Sequence, residues 1–240
     1  MIDVHTHILP MLDDGAQSVE QALDMLVMAY EDGVDDIFLT PHHARIYGFD
    51  NPGSKTRDYF EDLKRIVRKE GIPIRLHLGM EFLYTSKESF MEKKDDLVFL
   101  NDSNILLCEF FFNCTKETIL EAIEVITSQG FKVMIAHPER YECVQTDQDL
   151  ALEMKKRGAY LQLNAGSIFG YYGRWAQKCA FALLDENRID VVGSDAHDHR
   201  YRTPLLKDSF YEVAQQYGHR KAEKLFYENA YALFFEKEEG

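Results

Sequence analysis

The chain has 240 residues, 45% of them hydrophobic, with 27 basic against 41 acidic side chains and a formal net charge of -14. That length and apolar share can bury a full core, no apolar run approaches the ~18 residues of a membrane span, and the acidity opposes binding to a polyanion such as duplex DNA. The opening Met1-Ile2-Asp3-Val4-His5 lacks the basic and apolar regions of a secretory signal, so a cytoplasmic setting is expected, in which Cys108, Cys114, Cys143 and Cys179, without Cys-x-x-Cys spacing, read as free thiols.

Strand and helix signals alternate along the chain. Met1 to His5 is a short apolar start. Ser18 opens a helix, Gln21 completes a capping-box pattern, Leu23, Leu26, Val27 and Tyr30 keep the period, and Gly33 ends it. Ile37-Phe38-Leu39 is a second strand. A helix over Asp58 to Glu70 ends at Gly71, and its Lys64-Arg65 and Arg68-Lys69, interleaved with Leu63, Ile66 and Val67, form a solvated face. Ile74, Leu76 and Leu78 alternate into a third strand, and Ile105-Leu106-Leu107 is a fourth. Thr118 to Gln129 is helical, Val133-Met134-Ile135 is a strand, Leu150 to Arg157 is helical, and Tyr160 to Leu163 is a strand. Trp175 to Asn187 is helical, Ile189 to Val192 is the last strand, and Leu205 to Tyr217 and Arg220 to Glu236 are helical. About seven βα units without a linker predict one domain over 1–240 with parallel strands. The expected architecture is a (β/α)7 barrel with its chemistry at the C-terminal strand ends.

Those strand ends carry the informative residues. His5 and His7, two apart on extended chain, point the same way. His42 follows Thr40-Pro41 behind the second strand, and Glu81 follows the third. Glu109 ends the fourth behind Leu106-Leu107-Cys108, where an unpaired carboxylate is costly to bury. His137 follows the fifth strand, Asp195 and His197 follow the last, and Asp14 lies on the loop after the first. Imidazoles and carboxylates without thiolate suit Mn2+, Fe or Zn2+. They are too many for one ion, so a multi-metal hydrolase is expected. Tyr47, Phe49, Phe111, Tyr171, Tyr172 and Trp175 fall near strand mouths, where some are suited to stack on an aromatic substrate.

Asp3-x-His5-x-His7, Thr40-Pro41-His42, His137-Pro138 and Asp195-x-His197 resemble the motifs of the polymerase-and-histidinol-phosphatase (PHP) superfamily. Within it, His5-Thr6-His7-Ile8-Leu9-Pro10 with Asp13-Asp14-Gly15, His137-Pro138-Glu139-Arg140 and Gly193-Ser194-Asp195-Ala196-His197 are similar to the manganese-dependent protein-tyrosine phosphatases of bacterial capsule and exopolysaccharide operons. The resemblance spans essentially the whole chain. It implies a distorted seven-stranded, TIM-like PHP barrel with two to three ions, Mn2+ foremost and Fe, Zn or Mg as alternatives. One ion would take His5, His7, Glu81 and Asp195. A second would take Glu81, Glu109 and His137, and a third Asp14, His42 and His197, with Glu81 bridging. Arg140 matches the phosphate-binding arginine, and Arg202 the second, with Arg200 as the alternative. The implied activity is hydrolysis of phosphotyrosine by water activated at the metals. The implied partner is a phosphotyrosine-bearing protein, a bacterial tyrosine kinase with a tyrosine-rich C-terminal tail, with no nucleic acid.

No cysteine begins a Cys-x5-Arg motif: the residues six beyond are Cys114, Leu120, Asp149 and Asp185. His-Glu-x-x-His and Gly-x-Ser-x-Gly are also absent. The rival readings are a histidinol-phosphate phosphatase, a PHP- or TatD-like nuclease, and a non-catalytic phosphotyrosine-binding module. His199 and Asp198 are open candidates for a general acid.

Overall fold

The strands of this computed structural model, which describes residues 1–236, pair in parallel throughout their two ladders. In chain order they are β1 (Ile2–Asp3), β2 (Asp36–Leu39), β3 (His42–His43), β4 (Arg75–Leu78), β5 (Glu81–Leu83), β6 (Ile105–Glu109), β7 (Lys132–Ala136), β8 (Tyr160–Asn164) and β9 (Val191–Gly193). One ladder has the order β1-β2-β4 and the other β3-β5-β6-β7-β8-β9. The expected α/β class with parallel strands is therefore present, but the strands form two ladders rather than one continuous ring. The division falls at Thr40-Pro41, between β2 and β3, and at Gly79-Met80, between β4 and β5. Proline offers no ladder N–H, and a side chain on Gly79 would come within 2.5 Å of Leu100 Cδ2. Across the gap, Gly79 N–H donates to Leu39 O (2.9 Å) and Glu81 N–H to Pro41 O (3.1 Å). An isolated parallel bridge also joins Thr6 to Ala196.

Alternation along the strands divides the core. Leu106 and Cys108 of β6 and Val133 and Ile135 of β7 pack into the larger cluster, which includes Ile119, Ala122, Ile123 and Ile126 from the helix Lys116–Ser128. Ile105 and Leu107, with Met134 and Ala136, face a smaller cluster shared with Ile2, Val4 and Phe38. Strands buried on both faces read as continuous apolar runs rather than as alternation, as β6 and β7 do. Glu109 extends the row that Ile105 and Leu107 begin, so the residue after the apolar run is carried to the mouth on the inner side.

The helices follow their sequence signals, with local differences. The first is Val19–Glu31; Ser18 accepts from Gln21 N–H, but Gln21 Oε1 accepts from Gln17 N–H, so only half of the capping box forms. The second begins at Gly53 rather than near Asp58, and Gly53 N–H donates to Asp96 Oδ1 at 3.0 Å, a tertiary cap with no local signal. Lys64 and Arg65 pair with Glu61 and Asp62 on its outer face, as expected of a wet face. Two short helices without strong periodicity, Lys87–Lys93 and Glu142–Thr146, were not visible in the sequence. The last strand runs Val191–Gly193, starting two residues and ending one residue later than its apolar run. Among the described residues, no helix is long and apolar enough to cross a membrane.

Candidate metal centre

Tight turns deliver the polar side chains to one mouth. After β1, the chain turns so closely that a Cβ on Gly15 would sit 1.9 Å from His7 O. His137 and Asp195 both have positive φ, 36° and 55°. Left-handed backbone is uncommon for such residues and persists where surrounding structure fixes it. Here it turns each side chain off its strand direction and into the cluster.

Glu81, fully buried, is the hub. Its Oε2 lies 3.2 Å from His5 Nε2, 3.3 Å from His7 Nε2 and 3.0 Å from His42 Nδ1, and its Oε1 is 3.0 Å from His137 Nε2. His42 Nδ1 also lies 2.9 Å from Glu109 Oε1. Asp195 Oδ1 is 3.4 Å from His7 Nε2, 3.7 Å from His5 Nε2 and 3.6 Å from His197 Nδ1. Asp14 Oδ1 lies 3.5 Å from His42 Nε2 and 3.4 Å from His197 Nε2. The structure thus brings all the expected ligand residues into one continuous network. Three groups have donor atoms within 4.8 Å of one another: His7, Asp14, His42 and His197; His5, His7 and Glu81; and His42, Glu81 and Glu109. This grouping differs from the implied sets, because His7 and His42 each belong to two groups and His137 reaches only Glu81.

The donor set fits metal ions. Glu81 Oε2, Glu109 Oε1, His42 Nδ1 and His197 Nε2 are buried without a properly directed hydrogen bond. Several orphaned polar atoms facing one another would be destabilising in a metal-free core, and bound cations would satisfy them together.

The titration behaviour fits a site that exchanges protons for cations. Burial drives the His137 and His197 imidazoles down to about 4, so both are neutral at ordinary pH. Burial and the His7 charge oppose protonation of His42, yet Glu81 and Glu109 raise it to about 10. Burial also opposes protonation of His5, which the charges of Glu81 and Asp195 nonetheless raise. Burial pushes Glu109 up, helped by the neighbouring Glu81 charge.

The two arginines sit at the rim. Arg140 Nη1 is 3.0 Å and Arg202 Nη2 2.7 Å from Asp195 Oδ2. The Arg140 guanidinium lies between Phe112 and Tyr172, 4.4 and 4.3 Å from their ring centres. Arg200 is exposed and donates to His199 Nε2, so of the two sequence candidates it is Arg202 that joins the network. Asp198 accepts from the N–H groups of Arg200, Tyr201 and Arg202, which organises the turn that presents Arg202. A cavity of about 410 Å3 opens over this floor, walled by Tyr47, Phe49, Phe111 and Phe112. Tyr171 lies in a neighbouring cleft and Trp175 is exposed beside Lys178, so neither lines it.

Sequence reasoning missed the residues that orient the ligands. Asp13 Oδ2 lies 2.7 Å from His7 Nδ1 and accepts from His42 N–H at 2.8 Å. Gln162 Oε1 lies 2.9 Å from His5 Nδ1. Asn164 Nδ2 donates to Asp195 Oδ2 at 2.7 Å, and Asp3 Oδ1 accepts from Ser194 N–H at 2.9 Å. Such partners fix ring orientation and ligand basicity. Asp13 had a signal, its place in Asp13-Asp14-Gly15 six residues past His7. Gln162, in the middle of an apolar strand, was itself an anomaly.

A family model for capsular polysaccharide synthesis, CpsB/CapC, matches residues 1–235. The chain belongs to the CpsB/CapC family. Two relatives are the tyrosine-protein phosphatase YwqE of Bacillus subtilis, 30% identical over 219 residues (91% of this chain, 85% of that protein), and the tyrosine-protein phosphatase CpsB of Streptococcus pneumoniae, 30% identical over 234 residues (95% and 96%). A solved structure from work on these two proteins, described as unique metal-dependent tyrosine phosphatases, superposes with a TM-score of 0.89 at 30% identity, covering 98% of this chain and 94% of the other. The CpsB/CapC family thus includes members with this fold that depend on metal, in accord with the donor set found here.

Proposed function

We propose that this CpsB/CapC protein is a metal-dependent protein-tyrosine phosphatase. The observation that carries the reading is one cavity with three surfaces: a floor of buried imidazoles and carboxylates, a rim of two arginines and walls of aromatic rings. His5, His7, Asp14, His42, Glu81, Glu109, His137, Asp195 and His197 hold two to three ions; the thiolate-free set suits Mn2+, Fe or Zn2+, and the family resemblance puts Mn2+ first, with Fe, Zn or Mg as alternatives. When bound, such ions lower the pKa of water and neutralise charge on phosphate oxygens. Arg140 and Arg202 grip the phosphate by charge-assisted hydrogen bonds, and the rings of Phe112 and Tyr172 hold the Arg140 plane. Tyr47, Phe49 and Phe111 offer faces for the substrate phenyl ring. The phenol that leaves has an ordinary pKa of about 10, so it departs without a strong general acid. That accords with Asp198, whose carboxyl is spent on three backbone N–H groups and held below the usual range against its partial burial.

The whole chain works as one domain, and the two ladders with the Thr6 to Ala196 bridge act as a distorted seven-stranded PHP-type barrel that gathers its strand ends. The substrate is a phosphotyrosine protein of the cytoplasm, a tyrosine kinase tail in capsule or exopolysaccharide synthesis. Metal-loaded enzyme is expected to turn over a phosphotyrosine peptide far faster than histidinol phosphate. Activity should vanish with chelator and return with Mn2+. Preference for histidinol phosphate by orders of magnitude would overturn the substrate class, and turnover that survives exhaustive chelation would overturn the metal chemistry.

A further inference from the structure

Beside the cavity, two segments that meet each carry a cysteine that catalysis does not use. Cys114 ends the segment that leaves β6 through Phe111 and Phe112, and its N–H donates to Phe111 O at 2.9 Å. Cys143 lies in the short helix Glu142–Thr146 that follows Arg140. Glu142 N–H donates to Phe112 O at 2.9 Å, which ties the two segments together one residue from Cys143 and two from Cys114. The two thiols are near enough for each to shift the other's titration, Cys114 upward and Cys143 downward. Both are half-buried, whereas Cys108 and Cys179 are buried in the core. The segments they join carry Phe112 and Arg140, whose guanidinium rests on the Phe112 ring at 4.4 Å.

We propose that Cys114 and Cys143 form a reversible disulfide, an oxidative modification site that links the Phe112 loop to the Arg140 segment. The disulfide stands on the loop geometry alone; its effect on turnover rests on the phosphatase reading above. The arrangement has the parts of a thiol sensor: a partly accessible thiol and a second thiol nearby to resolve it. The neighbouring Cys114 thiol draws the Cys143 thiol below its ordinary range. In a reducing compartment such a bond is transient and responsive rather than structural.

The oxidant is hydrogen peroxide. The Cys143 thiolate attacks the peroxide oxygen, the O–O bond breaks, and the leaving hydroxide takes up a proton, leaving Cys143 as a sulfenic acid. The Cys114 sulfur then attacks the Cys143 sulfur. The S–O bond breaks, water leaves with the Cys114 proton, and the S–S bond forms. The two sulfurs lose two electrons in all, and one peroxide becomes two waters. Closure to a bond of roughly 2.0 Å pulls the two segments together and shifts Phe112 beneath Arg140, which weakens the phosphate grip.

The test treats metal-loaded, full-length enzyme with hydrogen peroxide and maps the products by peptide mass spectrometry. Expected is one intramolecular link, placed by fragmentation at Cys114 and Cys143, which a dithiol reductant reverses. With it, kcat/KM for a phosphotyrosine peptide falls about tenfold, within the hundredfold that a displacement of roughly 1 Å can cost. Cys114→Ser and Cys143→Ser enzymes should keep basal activity and lose the reversible response. A link through Cys108 or Cys179, an intermolecular link, or oxidation that stops at sulfinic acid overturns the pairing. The mapped link with unchanged turnover overturns the control. So does equal inactivation of wild type and Cys143→Ser, which would place the damage at the metals. Reduced enzyme inert on phosphotyrosine would break the functional reading, while the mass map still decides the disulfide.

Discussion

Two clusters of the same residue types sit at opposite ends of the strands. At the N-terminal end, Asp36 opens β2 and Arg75 opens β4. Asp36 accepts from Arg75 at 2.7 and 2.5 Å and lies 2.9 Å from His77 Nε2. His77 Nδ1 lies 3.1 Å from Asn101 Oδ1, and Asn101 Nδ2 donates to Phe234 O at 3.0 Å. Both Asp36 oxygens, both His77 ring nitrogens and the Asn101 amide have protein partners, and Phe38 and Phe235 close over the histidine. At the C-terminal end, carboxylates and imidazoles crowd one another and leave buried atoms orphaned. A satisfied cluster is complete in itself and contributes stability, whereas an unsatisfied one is complete only with something else bound. In barrel-like α/β folds these ends are likewise the stability face and the reactive face.

The contrast can be broken at either end. The largest effect is expected at the hub. Glu81→Gln should cost about 4 kcal/mol of transition-state stabilisation, roughly a thousandfold in kcat, and elemental analysis should find fewer ions per chain. Full activity with full metal content would remove Glu81 from the centre.

Arg140→Ala removes hydrogen bonds to a charged group worth roughly 2 kcal/mol, so kcat/KM should fall about thirtyfold. Metal content should stay whole. Loss of ions in this variant would mean that Arg140 supports the floor rather than the phosphate.

Metal affinity should strengthen with pH, by about tenfold per pH unit for each proton displaced. In the metal-free protein the His42 imidazole is raised from 6.5 to about 10. That raised value stabilises the metal-free fold fully below about 6.5, and the contribution is lost as pH rises through about 10. At pH 7 the proton must leave when a cation enters, while His137 and His197, near 4, release none. Calorimetry of Mn2+ binding in buffers of different ionisation heat measures the protons released, and a value of zero would contradict the arrangement.

The smallest effect on turnover is expected at the satisfied end. Asp36→Asn should leave kcat and metal content unchanged but lower unfolding stability by about 2 kcal/mol. Its carboxyl is held near 2 by hydrogen bonds and charge from His77 and Arg75, against the cost of burial. The wild-type contribution is therefore present above about 4 and is lost as pH falls toward 2. Denaturant melts at pH 7 and pH 3 test both statements, and a loss of activity in this variant would erase the distinction between the two ends.

The sequence alone determined which side chains could form the centre. Apolar runs mark strands because a strand buried on both faces has no polar alternation, and a carboxylate or imidazole just past such a run stands out chemically. His5, His7, His42, Glu81, Glu109 and His137 were all legible on that ground. Gly33, Gly71 and Gly130 likewise marked helix ends, because a left-handed residue there spares the Cβ clash. Only the tertiary structure decided the pairings within the centre. His42 faces Glu109 as well as Asp14, and Arg202 rather than Arg200 meets Asp195, because positive-φ turns and the Asp198-bound loop set directions that spacing does not encode. It likewise decided the helix start at Gly53 and the supports from Asp13, Gln162 and Asn164. Each of these depends on a partner tens of residues away or on a hydrogen bond with no local signature, so only folding brings the two halves together.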